Sequence, residues 1–386
     1  MRERMCSSAE QVDLLALAAS ALASSIVASR PIRKLALEGR EQFSRKKLDG
    51  TIITDADGSS QRIIIGALRD VSKDVRIVGE ESLDEMERSV RRDDNAKVEA
   101  DVAAADECER LEIFKMAQDE LQRRFAAAWD ASSPSAFAPH AIDPARIAVF
   151  VDPLDGTSCY AKGDFGCVTT LVAIILDNVP CFGVICKPFG QEDEPAILNS
   201  GCYAVYGGTL LKGAYVAGGD ECQRSKIYRH TRTRFNANYT PDDDDTQTTK
   251  QQILHTTTET GDTTTEEDDD DDVDDDPPIL SRQNNRAIIS RSRAGGVVRK
   301  CIDALADRNL LHREPIHVSG AGYKTLRLIT GTDGETLWFF PKQGTSLWDV
   351  AAADAILRSI GGCLSDKNGN DIDYSKSRQN AENVEG

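Results

Sequence analysis

The chain has 386 residues, 40% of them hydrophobic, and a formal net charge of −18. The acid is concentrated, because residues 242–276 hold 16 acids against the single base Lys250, and the rest of the chain has 48 acids to 45 bases. That near-neutral remainder excludes bulk nucleic-acid binding, and the length allows two domains or one domain with a large insertion.

The N-terminal stretch "DLLALAASALASSIVAS" (13–29) is apolar and alanine-rich. It fits a signal-peptide core, but the serines, the helical spacing over 10–38 and Asp13 as a polar cap favour a buried first helix. No other stretch approaches the roughly 20 apolar residues of a membrane span, and no membrane partner is expected. A second helix is expected over 59–71, and a short buried strand in "VRIVGEES" (75–82). Residues 83–145 read as a charged helical insertion. In it "LEIFKMAQDELQRRFAAAW" carries one apolar stripe, and "SSPSAFAPHAIDP" is a loop. From 147 the texture becomes β, in "IAVFVD", "CVTTLVAIIL", "PCFGVICKPF" and "GCYAVYGG". Residues 239–278 are acidic, low in complexity and nearly free of large apolar side chains, so a disordered surface insertion is expected. Order resumes with a strand in "RAIISRS" (286–292) and a helix at 295–306. A strand near "EPIHVSG", a helix from Tyr323, the segment "ETLWFFP" and the helix "WDVAAADAILRSIGG" (348–362) follow. The expected division is an N-terminal α+β half (1–219), the acidic insertion (220–280) and a C-terminal α/β half (281–386). Ten cysteines without CxxC spacing and five scattered histidines argue against a zinc site. They read as free thiols in a reducing compartment. A cytoplasmic location is therefore expected, with organellar targeting left open.

Four places drive an apolar segment into acid: "TIITDADGSS" (51–60), "IVGEES" (77–82), "VDPLDGT" (151–157) and "LWDVAA" (347–352). Singly, each acid reads as a helix cap or a solvated side chain. Together, carboxylates delivered from several element ends can hold hard divalent cations through oxygen. Magnesium suits such a set, and two ions can clamp an in-line displacement at phosphorus. In "DPLDGT", Pro153 stiffens the turn so that Asp152 and Asp155 can share one site, and Leu154 offers its carbonyl. Gly156 and Thr157 bring backbone N–H groups to a phosphate. Two rivals for "TDADGSS" fail. An EF-hand counted from Asp55 would need glutamate where Gly66 stands. A haloacid-dehalogenase-like nucleophile at Asp55 leaves "GEES" and "DPLDGT" without a purpose.

"GEES", "DPLDGT" and "WDVAAADAILRSIGG", in that order, resemble the inositol monophosphatase superfamily of magnesium-dependent, lithium-sensitive phosphomonoesterases. The likeness runs from about residue 12 to the end, apart from 83–145 and 220–280. It implies a layered α/β/α/β/α sugar-phosphatase-type fold. It further implies two or three Mg2+ ions held by the side chains of Glu80, Asp152, Asp155 and Asp349 and by the Leu154 carbonyl. Glu81 is implied just outside those ligands. Asp57 paired with Thr157 is implied as the proton acceptor for a water that attacks directly, without a phosphoenzyme. On the substrate side the resemblance nominates Gly156, Thr157 and Asp349, Ser290 and Arg293 of "SRSR", and Gly320 and Lys324 of "GAGYK". The implied partner is a small phosphorylated molecule. "DPLDGT" with "GVICKPF" looks like the 3'(2'),5'-bisphosphate nucleotidases, which act on adenosine 3',5'-bisphosphate. "GAGYKTL" and "CVTTLVAI" lean towards the inositol polyphosphate 1-phosphatases. Simpler inositol monophosphates and a non-catalytic relative also stay open. Two departures are noted: 83–145 is longer than the nucleotidase pattern, and that pattern continues past "NAENVEG", so either the sequence is incomplete or the C-terminal half lacks an element.

Overall fold

The computed structural model describes residues 11–38, 45–46, 52–81, 107–129, 138–190, 201–218, 285–292, 294–331, 333–340 and 345–375. The acidic segment 242–276, residues 83–106 of the charged insertion, Arg293 and the chain beyond 375 lie outside the described residues.

Helix α1 (Leu14–Leu37) starts at Asp13, whose Oδ1 accepts the N–H groups of Leu15 at 2.8 Å and Ala16 at 3.2 Å. By length and composition this helix could cross a membrane, but 83% of its apolar window is buried in the fold. The short strands β1 (Arg45–Lys46) and β2 (Ile52–Ile53) pair antiparallel ahead of α2 (Asp55–Val71). Helix α2 begins four residues before the expected 59, because Asp57 Oδ2 accepts both the Thr54 N–H and the Thr54 hydroxyl and caps the first turn.

The central sheet has six strands in chain order: β3 (Arg76–Gly79), β4 (Ile147–Asp155), β5 (Thr169–Leu176), β6 (Val179–Lys187), β7 (Tyr203–Gly208) and β8 (Gly213–Gly218). The β3–β4 pair is parallel and the others are antiparallel. Helix α3 (Glu107–Ala128) lies between β3 and β4 in the chain, and the single turn α4 (Thr157–Tyr160) follows β4. Strand β8 was not anticipated, since Tyr215 and Val216 are its only strand-favouring residues, flanked on both sides by glycine and alanine; its pairing with β7 makes it a strand. Both faces of the sheet are covered, which is why β4 to β7 read as continuous apolar runs. Val149, Val151, Val172, Ile174, Phe182 and Val184 pack in the core shared with α1, α2 and α3.

The second sheet is parallel. It contains β9 (Arg286–Ser290), flanked by β10 (Ile316–Val318) and β11 (Glu335–Trp338). Helices α5 (Val297–Ala306), α6 (Ala321–Thr330) and α7 (Leu347–Ser359) alternate with these strands. Helix α6 starts two residues before the expected Tyr323. Phe150, Leu171, Ile185 and Val205 of the large sheet share a core with Val350 and Ile356 of α7, Leu326 of α6 and Ile288 of β9. On the other face of β9, Ala287 and Ile289 pack with Val298 and Ile302 of α5. Helix, sheet, helix, sheet and helix therefore stack as the α/β/α/β/α layering expected from the sequence. Gly183 sets the spacing of the middle layers, for a Cβ there would lie 2.4 Å from the Ala352 carbonyl oxygen of α7.

Candidate active site

Residues three apart on a regular strand face opposite sides. Asp152 and Asp155 escape that rule through a bulge. Asp152 lies opposite Leu171 and Asp155 opposite Thr169, so β4 advances one residue more than β5 there. The bulge is tied down by the Leu154 N–H donating to Asp152 Oδ1 at 3.0 Å and the Thr170 hydroxyl donating to the Pro153 carbonyl at 2.9 Å. The Leu154 side chain is buried with Tyr160, Phe165 and Phe189, while its carbonyl lies 2.9 Å from Thr157 Oγ1. Gly156 turns the chain at φ +89°, in the left-handed region, and opens α4.

Thr157 Oγ1 also lies 3.0 Å from Asp57 Oδ1. The hydroxyl has one proton, so it serves Asp57 or Leu154 at any moment. Asp57 is fully buried, and burial first, then Glu80, push its pKa up to about 7 against the hydrogen bonds from Thr54 and Thr157.

Glu80 follows β3 and is locked to β4 by its N–H, which donates to the Val151 carbonyl at 2.9 Å. Asp152 is raised well above the usual carboxylate range by burial, then by the charges of Glu80, Asp155 and Asp349, and a hydrogen bond with Glu80 adds to this. Asp155 Oδ2 accepts the Thr169 hydroxyl at 2.9 Å and the Gly322 N–H at 2.8 Å. Burial still raises it, against those bonds and the charge of Lys324. Asp349 Oδ2 accepts the Ser346 N–H at 2.6 Å and so caps α7. Burial and then Asp155 lift Asp349 to about 7. Lys324, nearly buried on α6, is the cation acting on both Asp155 and Asp349, and its Nζ lies 5.1 Å from the Trp338 ring centroid. The charges of Glu80, Asp155 and Asp349 thus act on Asp152, and those of Asp155 and Glu80 on Asp349, a repulsion that a hard divalent cation relieves through oxygen ligands. The donor set fits magnesium.

Glu81 is buried, and its backbone is clasped by Gln61. The Gln61 Nε2 donates to the Glu81 carbonyl at 2.8 Å and the Glu81 N–H donates to Gln61 Oε1 at 3.0 Å. Gly79 makes the clasp possible, since a Cβ there would lie 2.7 Å from Gln61 Oε1. Gly320 has φ +76°, and a Cβ on it would come within 2.5 Å of the Cys167 carbonyl and 3.1 Å of Asp155 Oδ2. Its contribution visible here is close approach, which seats the first turn of α6 on Asp155. Ser290 closes β9, in register with Val318. Its Oγ is 3.4 Å from that of Ser292, and among the described residues it makes no hydrogen bond to the carboxylates.

Sequence reasoning passed over Thr54, Gln61, Thr169, Gly322 and Ser346. Thr54 and Ser346 stand three residues before an aspartate, the spacing of a helix-capping pair, and that signal could have found them. Gln61 and Thr169 carry no local mark, because each meets its partner only through the packing of separate elements.

A family model described as the inositol monophosphatase family matches residues 8–385. The chain is 25% identical over 362 residues to 3'(2'),5'-bisphosphate nucleotidase 1 of Dictyostelium discoideum, covering 92% of this chain and 86% of that protein. It is 28% identical over 240 residues to inositol monophosphatase 3 of Danio rerio, covering 60% of this chain and 47% of that one. In fold it is similar to CysQ from Bacteroides thetaiotaomicron, described as a bacterial member of the inositol monophosphatase family. The TM-score is 0.51 and the identity 17%, covering 95% of this chain and 94% of that one.

Proposed function

The chain belongs to the inositol monophosphatase family, and we propose that it is a magnesium-dependent phosphomonoesterase that hydrolyses adenosine 3',5'-bisphosphate to AMP and phosphate. The observation that carries the phosphatase reading is the meeting of Glu80, Asp152, Asp155 and Asp349 beside the hydrogen-bonded Asp57–Thr157 pair. The nucleotide reading is supported by similarity along 92% of the chain to a bisphosphate nucleotidase.

On this reading Glu80, Asp152, Asp155, Asp349 and the Leu154 carbonyl hold the magnesium, which would supply positive charge to the phosphoryl oxygens and acidity to the attacking water. The chain's own residues do the rest. Thr157 donates to Asp57 Oδ1 and so presents an oxygen lone pair to the incoming water. As the water gives up its proton to Thr157, the threonine's own proton passes to Asp57. A threonine hydroxyl is a poor base alone, and Asp57 accepts what it cannot hold. The backbone N–H groups of Gly156 and Thr157 steady the phosphate undergoing attack. Ser290, Arg293 and Lys324 are assigned to the remainder of the substrate, with Lys324 and Arg293 suited to a second phosphate.

The test is phosphate release in magnesium, with and without lithium, from adenosine 3',5'-bisphosphate and inositol 1,4-bisphosphate. The expected result is a lithium-inhibited preference for the nucleotide of about tenfold or more in kcat/KM. Preference for the inositol substrate would favour the inositol polyphosphate 1-phosphatase reading suggested by "GAGYKTL". Silence on both, from folded protein, would overturn the phosphatase reading.

A further inference from the structure

Beside the cleft, Cys159, Asp164 and Cys167 bring their ligand atoms within 4.8 Å of one another. Among the described residues no other trio of His, Cys, Asp or Glu side chains does so; the carboxylates of the cleft are spread more widely. Cys159 lies on α4, two residues after Thr157, and is half-buried, while Cys167 is 1% exposed. Both are free thiols. The turn between them is tied by the Asp164 N–H donating to the Cys159 carbonyl at 3.0 Å and the Gly163 N–H donating to the Tyr160 carbonyl at 3.0 Å.

Two chemistries suit such a trio, and the surrounding charge decides between them. A soft cation would need the Asp164 carboxylate, which the Arg291 guanidinium already engages at 2.6 Å. That same guanidinium favours a thiolate. The hydrogen bond from Cys167 comes first in holding Cys159 down at about 6, and the Ser319 hydroxyl and Arg291 assist against burial and Asp164. The same bond, then burial, pushes the Cys167 thiol up. The pair therefore carries one accessible thiolate backed by a buried, protonated thiol, the division between an attacking and a resolving cysteine.

We propose that Cys159 and Cys167 form a reversible disulfide, closed by exchange with a small disulfide such as oxidised glutathione, and that closing it slows turnover in the neighbouring cleft. The Cys159 thiolate attacks one sulfur of the small disulfide, whose S–S bond breaks and releases one thiolate. Cys167 gives its proton to that departing thiolate and attacks Cys159 Sγ, expelling the second half. Two protein thiols are oxidised and one small disulfide is reduced to two thiols. The sulfurs start within 4.8 Å and must close to about 2 Å, which displaces the turn between them.

That displacement reaches the cleft by two contacts. Thr157 is the first residue of α4, and its hydroxyl lies 3.0 Å from Asp57 Oδ1. The Cys167 carbonyl is wedged against two glycines, 3.5 Å from a Cβ built on Gly156 and 2.5 Å from one built on Gly320. Gly320 in turn seats α6 on Asp155. Misplacement of reacting groups by about 1 Å costs up to about a hundredfold in rate.

The loss of turnover rests on the phosphatase reading; formation of the bond does not, and the experiment keeps the two apart. The full chain is incubated with oxidised glutathione, and its disulfides are mapped by peptide mass spectrometry while phosphate release is followed. The expected result is a Cys159–Cys167 link reversed by dithiothreitol, with activity falling about tenfold or more and returning on reduction. Cys167→Ser should halt at glutathione on Cys159, and Cys159→Ser should form no link and keep its rate in the oxidant. Alkylation of Cys159 should be half-maximal near pH 6 instead of about 8.5, with the reactive thiolate present above that pH and lost below it. A link that leaves the rate unchanged, glutathione found on other cysteines with none on Cys159, or a bound zinc ion requiring both thiols would each overturn the proposal. Failure of the phosphatase reading would show instead as silence in the reduced protein, before any oxidant is added.

Discussion

Asp57 divides its two oxygens between two tasks. Oδ2 caps α2 through Thr54, and Oδ1 meets Thr157 at 3.0 Å. The ordinary reading of an aspartate near a helix start and the reading as a proton acceptor are therefore both satisfied by one side chain. Asp57→Asn keeps a capping acceptor for the Thr54 N–H and should leave the fold intact. It should lower kcat about a hundredfold or more, and Thr157→Ala should do the same. Because the two act on one proton, the double variant should be little slower than either single one. Steady-state phosphate release checks this, and multiplying effects would show that the residues do not work as a unit. The resemblance named this pair from the sequence, and the spacing of Thr54 to Asp57 marked the cap. That the two tasks use different oxygens was not legible, since it depends on how α2 lies against α4.

At the scale of elements, the bulge in β4 and the close approach of α7 to β6 decide where the acids stand. Gly183 permits that approach, with Ala352 backbone atoms 2.4–3.1 Å from where its Cβ would be. Gly183→Ala should therefore destabilise the protein by about 1–3 kcal/mol through overpacking, and should cut activity too because α7 carries Asp349. Gly66→Ala is the control. It lies inside α2 with nothing within 4 Å of its Cβ position, and should stabilise by about 0.5–1 kcal/mol through helix propensity. Urea unfolding of the two variants checks both signs. Most strands and helices were readable from period and texture, but β8 was not, because Tyr215 and Val216 between glycines and alanines make too short a run, and its pairing with β7 defines it.

For the whole molecule, the acids come from different layers. Asp57 comes from the α1–α3 side, Glu80, Asp152 and Asp155 from the large sheet, and Asp349 from the helices between the sheets. A cation bound by Glu80, Asp152, Asp155 and Asp349 would join layers whose acids otherwise repel at that point. Magnesium should accordingly raise the melting temperature, by the equivalent of about 2.7 kcal/mol at a hundred times its Kd. Asp349→Asn removes one of the charges that raise Asp152. It should melt higher than the parent without magnesium and gain less from it. Thermal melts with and without magnesium check this, and an equal gain in both proteins would remove Asp349 from the metal site.

Local order was written in the sequence. The Asp13 cap, the apolar period of α1, the runs of β4 to β7 and the acid-ending motifs all express interactions between residues a few positions apart, whereas the layering and the roles of the acids were implied by the family resemblance that those motifs carry. Tertiary structure alone decided which oxygen of Asp57 meets Thr157 across 100 residues, and how the Gly322 N–H reaches Asp155 across 167. It alone placed Cys167 beside Cys159 under the charge of Arg291. The reason is physical: period, capping and turn preference are set by neighbours along the chain, whereas the bulge register and the contact between layers are set by how separate faces pack.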